Sequence, residues 1–284
     1  MKSSLVGFVA ALTLSTSAFA ADLYQPVAPL EPAAAPEVTV SDSSGWYLRG
    51  DVGYSLNDMR GAKFLQGQPT PTNWANFASA DLKGSALLGV GVGYQVTNYL
   101  RTDLTFDHTF KSDFKGSTTG SCASGPNCVS SDTSSFNAYS LMANAYVDLG
   151  TYASITPYVG AGIGGSYVKW DKLNNTACAG ATCDPTETHG GESSWRFAYA
   201  LMAGASYDLT CNLKADAGYR YRHIAGGDMF SFLGTSTPGG GTQGWDKGID
   251  QHEFRIGARY SFNGCSAQAY EPSVVPPAPP MVYK

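Results

Sequence analysis

The sequence predicts an all-β protein: an eight-stranded antiparallel up-and-down transmembrane β-barrel with short periplasmic turns and long extracellular loops. Three observations predict it. Charged residues are 14% of the 284, against about a quarter in soluble domains, so much of the surface need not face water. The 33 glycines and 17 tyrosines, with few Lys or Glu, suit short strands closed by turns rather than a helical bundle. Apolar and polar residues alternate with period two in eight separate segments.

The N-terminus reads as an export signal. Lys2 supplies the positive start, Leu5 to Leu14 an apolar stretch, and Ala18-Phe19-Ala20 a small-x-small cleavage site, so residues 1–20 are expected to be removed before Ala21. The apolar stretch is too short to cross about 30 Å of hydrocarbon as a helix, and no later run reaches the roughly 18 residues that a transmembrane helix requires. Loss of Lys2 takes the formal charge from −5 to −6. That balance argues against a nucleic-acid partner, because phosphate neutralisation needs clustered Lys and Arg. Residues 21–44 form a Pro/Ala-rich linker, 45–262 the barrel and 263–284 a Pro-rich tail.

The strands follow in order. Gly45 to Leu56 sets Trp46, Leu48, Val52 and Tyr54 against Arg49 and Asp51, and Ser85 to Gln95 sets Ala86, Leu88, Val90, Val92 and Tyr94 against glycines. Leu100 to Phe110 opposes Leu104, Phe106 and Phe110 to Arg101, Asp103 and Asp107. AYSLMANAYVDL at Ala138 to Leu149 recurs as AYALMAGASYDL at Ala198 to Leu209, with eight of twelve positions identical. Ala, Leu and Met favour helices, yet period two places Tyr139, Leu141, Ala143, Ala145, Val147 and Leu149 on one face, whereas a helix would mix the two sets. Thr156 to Trp170, Leu213 to Arg222 and Gln251 to Phe262 complete the eight. Each has about the length that spans a bilayer when tilted.

Connections alternate in length. Asn57 to Lys83, Lys111 to Ser134, Asp171 to Ser193 and His223 to Asp250 are long and rich in Ser, Thr, Gly and Asn; Val96 to Tyr99, Gly150 to Ile155 and Thr210 to Asn212 are short. Such asymmetry is typical of outer-membrane barrels. A soluble lipocalin-like barrel has the same period with its apolar face inward. The low charge, the loop asymmetry and two aromatic belts favour the membrane: Trp46, Tyr94, Tyr207, Tyr260 and Phe262 at one end; Phe110, Tyr139, Tyr167, Trp195, Phe197, Tyr221 and Phe254 at the other.

Arg255, Gly257, Tyr260 and Phe262 in the last strand match a polar-x-Gly-x-x-aromatic-x-aromatic pattern. It resembles the signal by which the outer-membrane assembly machinery recognises its clients. With GWYLRGDVGYS at Gly45, TPYVGAGIG at Thr156 and the Pro/Ala-rich stretch after the signal peptide, the chain resembles the opacity-type small barrels of alphaproteobacteria, a family of major surface antigens. The resemblance covers about Ala21 to Phe262 and implies architecture more than function, since the family includes structural, adhesive, porin-like and heme-binding members. Family barrels usually end on the terminal aromatic; here 22 residues follow Phe262, so the signal is internal.

In an eight-stranded barrel, side chains can fill the interior. The inward set pairs Arg49, Arg101, Lys214, Arg220, Arg222, Arg255 and Arg259 with Asp51, Asp103, Asp107, Asp148, Asp208, Asp216 and Glu253. Equal numbers of each sign read as an interlocked ionic plug, because unpaired charges there would be costly; the functional alternative is an ion path or a carboxylate active site. The histidines show no HExxH or other metal spacing, and none has the His-x-Ser of lipid A deacylases, so no metal, cofactor or catalytic residue is expected. His108 and His252 are placed near the outer rim, and His189 and His223 in loops, where the resemblance offers a heme site as an alternative.

Six cysteines allow fifteen pairings. Cys122 and Cys128 share one long loop and Cys178 and Cys183 another, while the strand after Cys211 is the hairpin partner of the strand before Cys265. The expected disulfides are therefore Cys122 to Cys128, Cys178 to Cys183 and Cys211 to Cys265. An even strand number sends both Pro-rich tails to the periplasm as extended spacers. The mature Ala21-Asp22 start resembles that of family barrels whose N-terminal amine is joined to peptidoglycan. The expected protein is a non-enzymatic outer-membrane barrel that supports envelope integrity, with lipid, lipopolysaccharide, the assembly machinery and peptidoglycan as partners. A loop-borne ligand-binding protein, for heme or host and phage adhesion, and a narrow porin stand as alternatives.

Overall fold

The computed structural model describes residues 44–66, 73–232 and 242–265. The expected signal peptide and both Pro-rich segments, with Ala21 and Asp22, lie outside these residues. Eight long strands carry the fold: β1 (Gly45–Met59), β2 (Ser85–Gln95), β3 (Leu100–Ser117), β4 (Gly125–Asp148), β5 (Ile155–Trp170), β6 (Ser193–Asp208), β7 (Leu213–Ile224) and β8 (Ile249–Ser261). Each pairs antiparallel with the next, and β8 returns to β1 from Tyr47↔Ser261 to Met59↔Ile249. A ring of pairings leaves no free edge among these strands.

Short connections close the ring at one end. The β4–β5 turn bends through Ala153 and Ser154, both at positive φ (49° and 66°), flanked by the reciprocal hydrogen bonds of Tyr152 and Ile155 at 2.8 and 2.9 Å. Two successive left-handed residues have the twist that a tight hairpin needs.

The alternation sorts the faces. Leu48, Val52, Leu88, Val90, Leu104, Leu141, Ile163, Leu201 and Ile256 point outward and are each about half exposed, while Asp51, Asp103, Asp107, Arg220, Arg222 and Glu253 are buried inside. That polarity is opposite to a lipocalin's. An apolar belt around the whole ring far exceeds the few hundred Å² that water tolerates, so it fits a lipid surround. Aromatic pairs mark its two limits: Trp46–Tyr94 (5.3 Å) and Tyr260–Phe262 (5.6 Å) at the turn end, Tyr167–Trp195 (5.5 Å) and Tyr219–Phe254 (5.6 Å) at the other. His108 stacks on Tyr139 at 4.4 Å, and the Tyr219 hydroxyl lies 2.6 Å from Nδ1 of His252, so both rings join the second belt.

The long connections are more folded than their composition suggests. After a bulge between Thr109 and Ser112, β3 and β4 pair again from Ser112↔Phe136 to Gly116↔Asp132. The bulge inverts the alternation: Phe110 points out, but Ser112 and Phe114 point in. This corrects the assignment of Lys111 to Ser134 to a loop. Strand Leu173–Ala179 extends the same sheet along β4, and Glu187–His189 pairs with it. The remaining long connections contribute a separate four-stranded sheet in the order Gly227–Ser231, Thr242–Asp246, Ala62–Gln66, Asn73–Asn76. These strands form a cap over the loop end of the ring. Phe114, Phe136, Trp170, Leu173, Ile224, Phe230 and Ile249 are buried between cap and lumen as an apolar layer.

Candidate functional site

Inside the ring, the fourteen charged residues of the inward set each meet an opposite charge at 3.6 Å or less. Arg49 bridges Asp51 (2.8 Å) and Asp103 (2.9 Å). Arg220 bridges Asp107 (2.9 Å) and Glu253 (2.6 Å), Glu253 also takes Arg222 (2.7 Å), and Asp107 takes Arg255 (2.6 Å). Arg101–Asp148 (3.0 Å), Arg259–Asp216 (3.6 Å) and the half-open pair Lys214–Asp208 (2.8 Å) continue toward the turn end. Tyr146 and Tyr158 flank Arg101, whose guanidinium carbon lies 4.0 and 4.6 Å from their ring centres. Asn144 Nδ2 donates to Asp103 at 2.7 Å. The glycines of β2 make room for these groups: a Cβ at Gly89 would strike the Asp107–Arg255 pair, and one at Gly93 the ring of Tyr47. A space of about 20 Å³ beside Arg49, Tyr146 and Arg255 holds roughly one water.

Toward the loop end the chemistry changes from ionic to aromatic. Trp170 meets Phe136 at 5.4 Å, Phe230 at 5.5 Å and Phe114 at 5.6 Å. All four side chains are buried and lie across the ring's mouth. Among the described residues one buried ion pair ties ring to cap: Arg196 of β6 donates to Asp246 at 2.5 Å and to the Asp228 carbonyl at 2.7 Å.

Within the cap a cavity of about 370 Å³ opens between the β3–β4 extension and the four-stranded sheet. Phe64, Phe77, Leu173 and Phe230 form its apolar wall; Asp132, Asn175, Glu187, His189 and Gln243 form its polar one. Phe64, Thr118, Glu187 and Gln243 also line a wider cleft of about 1080 Å³. Asp132 is 1% exposed and accepts hydrogen bonds from Ser130 Oγ (2.6 Å) and Asn175 Nδ2 (2.5 Å). Burial raises its carboxyl above the ordinary carboxylate range. The cavity has no counterpart in the sequence pattern: its residues meet through long-range pairings such as Gly244↔Phe64 and Asn175↔Asp132, which no local pattern announces.

The two loop histidines sit in separate surroundings. His189 lines the cavity, with Nδ1 3.2 Å from the Ser231 carbonyl; a carbonyl only accepts, so Nδ1 carries the hydrogen. His223 belongs to β7 rather than to a loop, its Nδ1 2.6 Å from Asp250, which also pairs with Arg60 at 2.8 Å. Among the described residues no group of three His, Cys, Asp or Glu could hold a metal ion. Disulfides join Cys122–Cys128, Cys178–Cys183 and Cys211–Cys265. Of the assembly pattern, Arg255 and Gly257 face the lumen charges, and Tyr260 and Phe262 face outward.

A closed ring of strands with an apolar exterior and a charged interior is the architecture of a membrane barrel, and the chain belongs to the outer membrane protein beta-barrel domain family, whose model matches residues 6–262. It is 38% identical over 281 residues to an uncharacterised protein of Brucella abortus (strain 2308), covering 88% of this chain and 95% of that one. It is 29% identical over 187 residues to the outer membrane protein PagN of Salmonella typhimurium, covering 64% and 76%. A Rickettsia bellii (strain OSU 85-389) protein provisionally named an adhesin is 28% identical over 179 residues, covering 63% and 72%. Among solved structures, OprG of Pseudomonas aeruginosa aligns at 13% identity with a TM-score of 0.44, over 78% of this chain and 97% of that one. The family places the protein in the outer membrane.

Proposed function

We propose that the protein is a non-enzymatic surface anchor: an eight-stranded transmembrane barrel, solid inside, that holds its folded cap outside the cell and supports the envelope. The complete charge pairing of the lumen carries this reading. A pore needs mobile water along its axis, whereas here buried guanidinium–carboxylate pairs fill the ring and an aromatic layer lies across its mouth. The shape of the cap supports a binding role at the surface, in line with the adhesin name of the Rickettsia relative. The test is twofold. Planar bilayers containing the protein are expected to show no conductance above background, and protease added to whole cells is expected to cut the cap; sustained channel currents or a protected cap would reject the reading.

In this reading both chain ends face the periplasm, and the Pro-rich segments reach toward the cell wall with the Ala21-Asp22 amine as the point of attachment. The sequence resemblance alone supports that tether. Recovery of barrel peptides from lysozyme-digested, detergent-washed sacculi is expected, and their absence would remove it. Heme is the weaker ligand: the reading would need His189 or His223, and His223 is held by Asp250.

A further inference from the structure

Eight carboxylates are buried among the described residues, and seven have a cationic partner: Asp51, Asp103, Asp107, Asp148, Asp216 and Glu253 in the lumen, and Asp246 with Arg196. The eighth is Asp132, which is as buried as these and lines the cap cavity, yet has no ion pair among the described residues. Lys63, one residue before the cavity's Phe64, is held between the rings of Trp74 (4.3 Å) and Trp245 (4.4 Å). A buried carboxylate whose hydrogen-bond donors, Ser130 and Asn175, are neutral is costly, and the opposing pull of His189 does not offset that burial; a protein that pairs its other buried carboxylates has left one open where there is room.

The rest of the wall fits the same kind of guest. Among the described residues Gln243 Oε1 is buried without a hydrogen-bond partner, Glu187 adds a second carboxylate, and His189, with its hydrogen on Nδ1, can offer Nε2 only as an acceptor while neutral. Acceptors therefore predominate, and no Lys or Arg lines the space. Opposite them stand Phe64 and Phe77, edge to face at 5.4 Å, beside Phe230. Ring faces attract cations and also pack apolar groups. Sulfated or phosphorylated ligands are a poor match for such a wall.

We propose that the cap cavity binds a small organic ammonium ion, its charged nitrogen at Asp132 with Gln243 Oε1 and its apolar or aryl body against Phe64, Phe77 and Phe230. The proposal deepens the surface-anchor reading, on which the cap is the binding end. Titration calorimetry of the purified full chain in detergent would use three probes: phenethylammonium, 3-phenylpropionate as its counterpart of opposite charge, and calcium chloride. Saturable binding of phenethylammonium and none of the propionate is expected, with affinity weakened about tenfold or more in Asp132→Asn and less in Gln243→Leu. Equal binding of the two aryl probes, no binding of the amine, or unchanged affinity in Asp132→Asn would overturn the proposal, and so would calcium binding in place of the amine. Calorimetry does not depend on which side of the membrane the cap faces. Its failure would leave the surface-anchor reading standing, while a protease-protected cap on whole cells would remove that reading and leave the affinity intact.

Discussion

The lumen and the cap solve opposite problems with the same strands. In the lumen, charge is neutralised by charge: Glu253 alone receives Arg220, Arg222 and Arg255 at 2.6, 2.7 and 3.3 Å. In the cap, β3 to β5 continue past the belt and bury Phe114, Phe136 and Trp170 against Phe230; among the described residues the buried charges there are the Arg196–Asp246 pair and Asp132, which has no ion pair. A paired ionic interior is rigid and specific but gains little net stability, because desolvation offsets most of the attraction. An aromatic layer gains stability directly by burial. The ring is thus built to be filled and the cap to keep a space.

The largest effect should come from breaking the lumen. Glu253→Gln removes a buried charge from three guanidiniums, and loss of one partner from a buried network costs roughly 3–5 kcal/mol. Urea unfolding of protein in lipid vesicles is expected to shift by that order, with the whole ring failing in one transition. A shift below about 1 kcal/mol, the value of exposed pairs, would mean that water reaches the lumen, and the contrast with the cap would fall. For scale, Lys83–Asp113 has both side chains more than half exposed.

Phe230→Ala acts on the other side of the comparison. Truncating a buried Phe costs about 3 kcal/mol or more, depending on how far the site collapses. Phe230 contacts Trp170 and Phe114 from the four-stranded sheet, outside the ring. The variant is therefore expected to become protease-sensitive in the cap while the vesicle-embedded ring keeps its own unfolding midpoint. Loss of both together would show ring and cap to be one cooperative unit.

The two regions were also unequally legible. Period-two alternation suffices to separate the faces of the ring, since Leu104 and Phe106 must point away from Asp103 and Asp107 whatever the register. It fails where the chain departs from a regular pleat. The bulge after Thr109 moves Phe114 to the inner face, against the phase set by Phe106 and Phe110. The strands of the cap sheet are four or five residues long, too short for alternation to stand out among Ser, Thr and Gly. Asp132 gives no local sign of its role either: within SSDTSS it looks like a solvated loop residue, and only the pairing Asn175↔Asp132 and the approach of Gln243 from far along the chain bury it.

The smallest predicted effect is also the sharpest, because its sign is opposite to that in the lumen. Burial raises the Asp132 carboxyl in the folded cap, so between the ordinary carboxylate pKa and that raised value the folded cap binds more protons than the unfolded one. Stability must then fall as pH rises through that window. Asp246 has the same sign, raised by burial against the pull of Arg196. Asp171, lowered by its hydrogen bond from Lys111, and Asp184, lowered by that from Ser124, act the other way and lose their contribution as pH falls. Asp132→Asn keeps the shape and removes the charge, so it is expected to flatten the falling limb and to stabilise the cap at pH 7 by about 1 kcal/mol, as relief of such a functional cost commonly does. Protease susceptibility of the cap against pH, in vesicles, measures it. A bound ammonium should also stabilise the native cap, by about 2.7 kcal/mol at a hundred times Kd, and the variant little. If Asp132→Asn instead loosened the cap at pH 7, the carboxylate would be a stabilising contact like those of the lumen, and the division between a filled ring and a vacant cap would not hold.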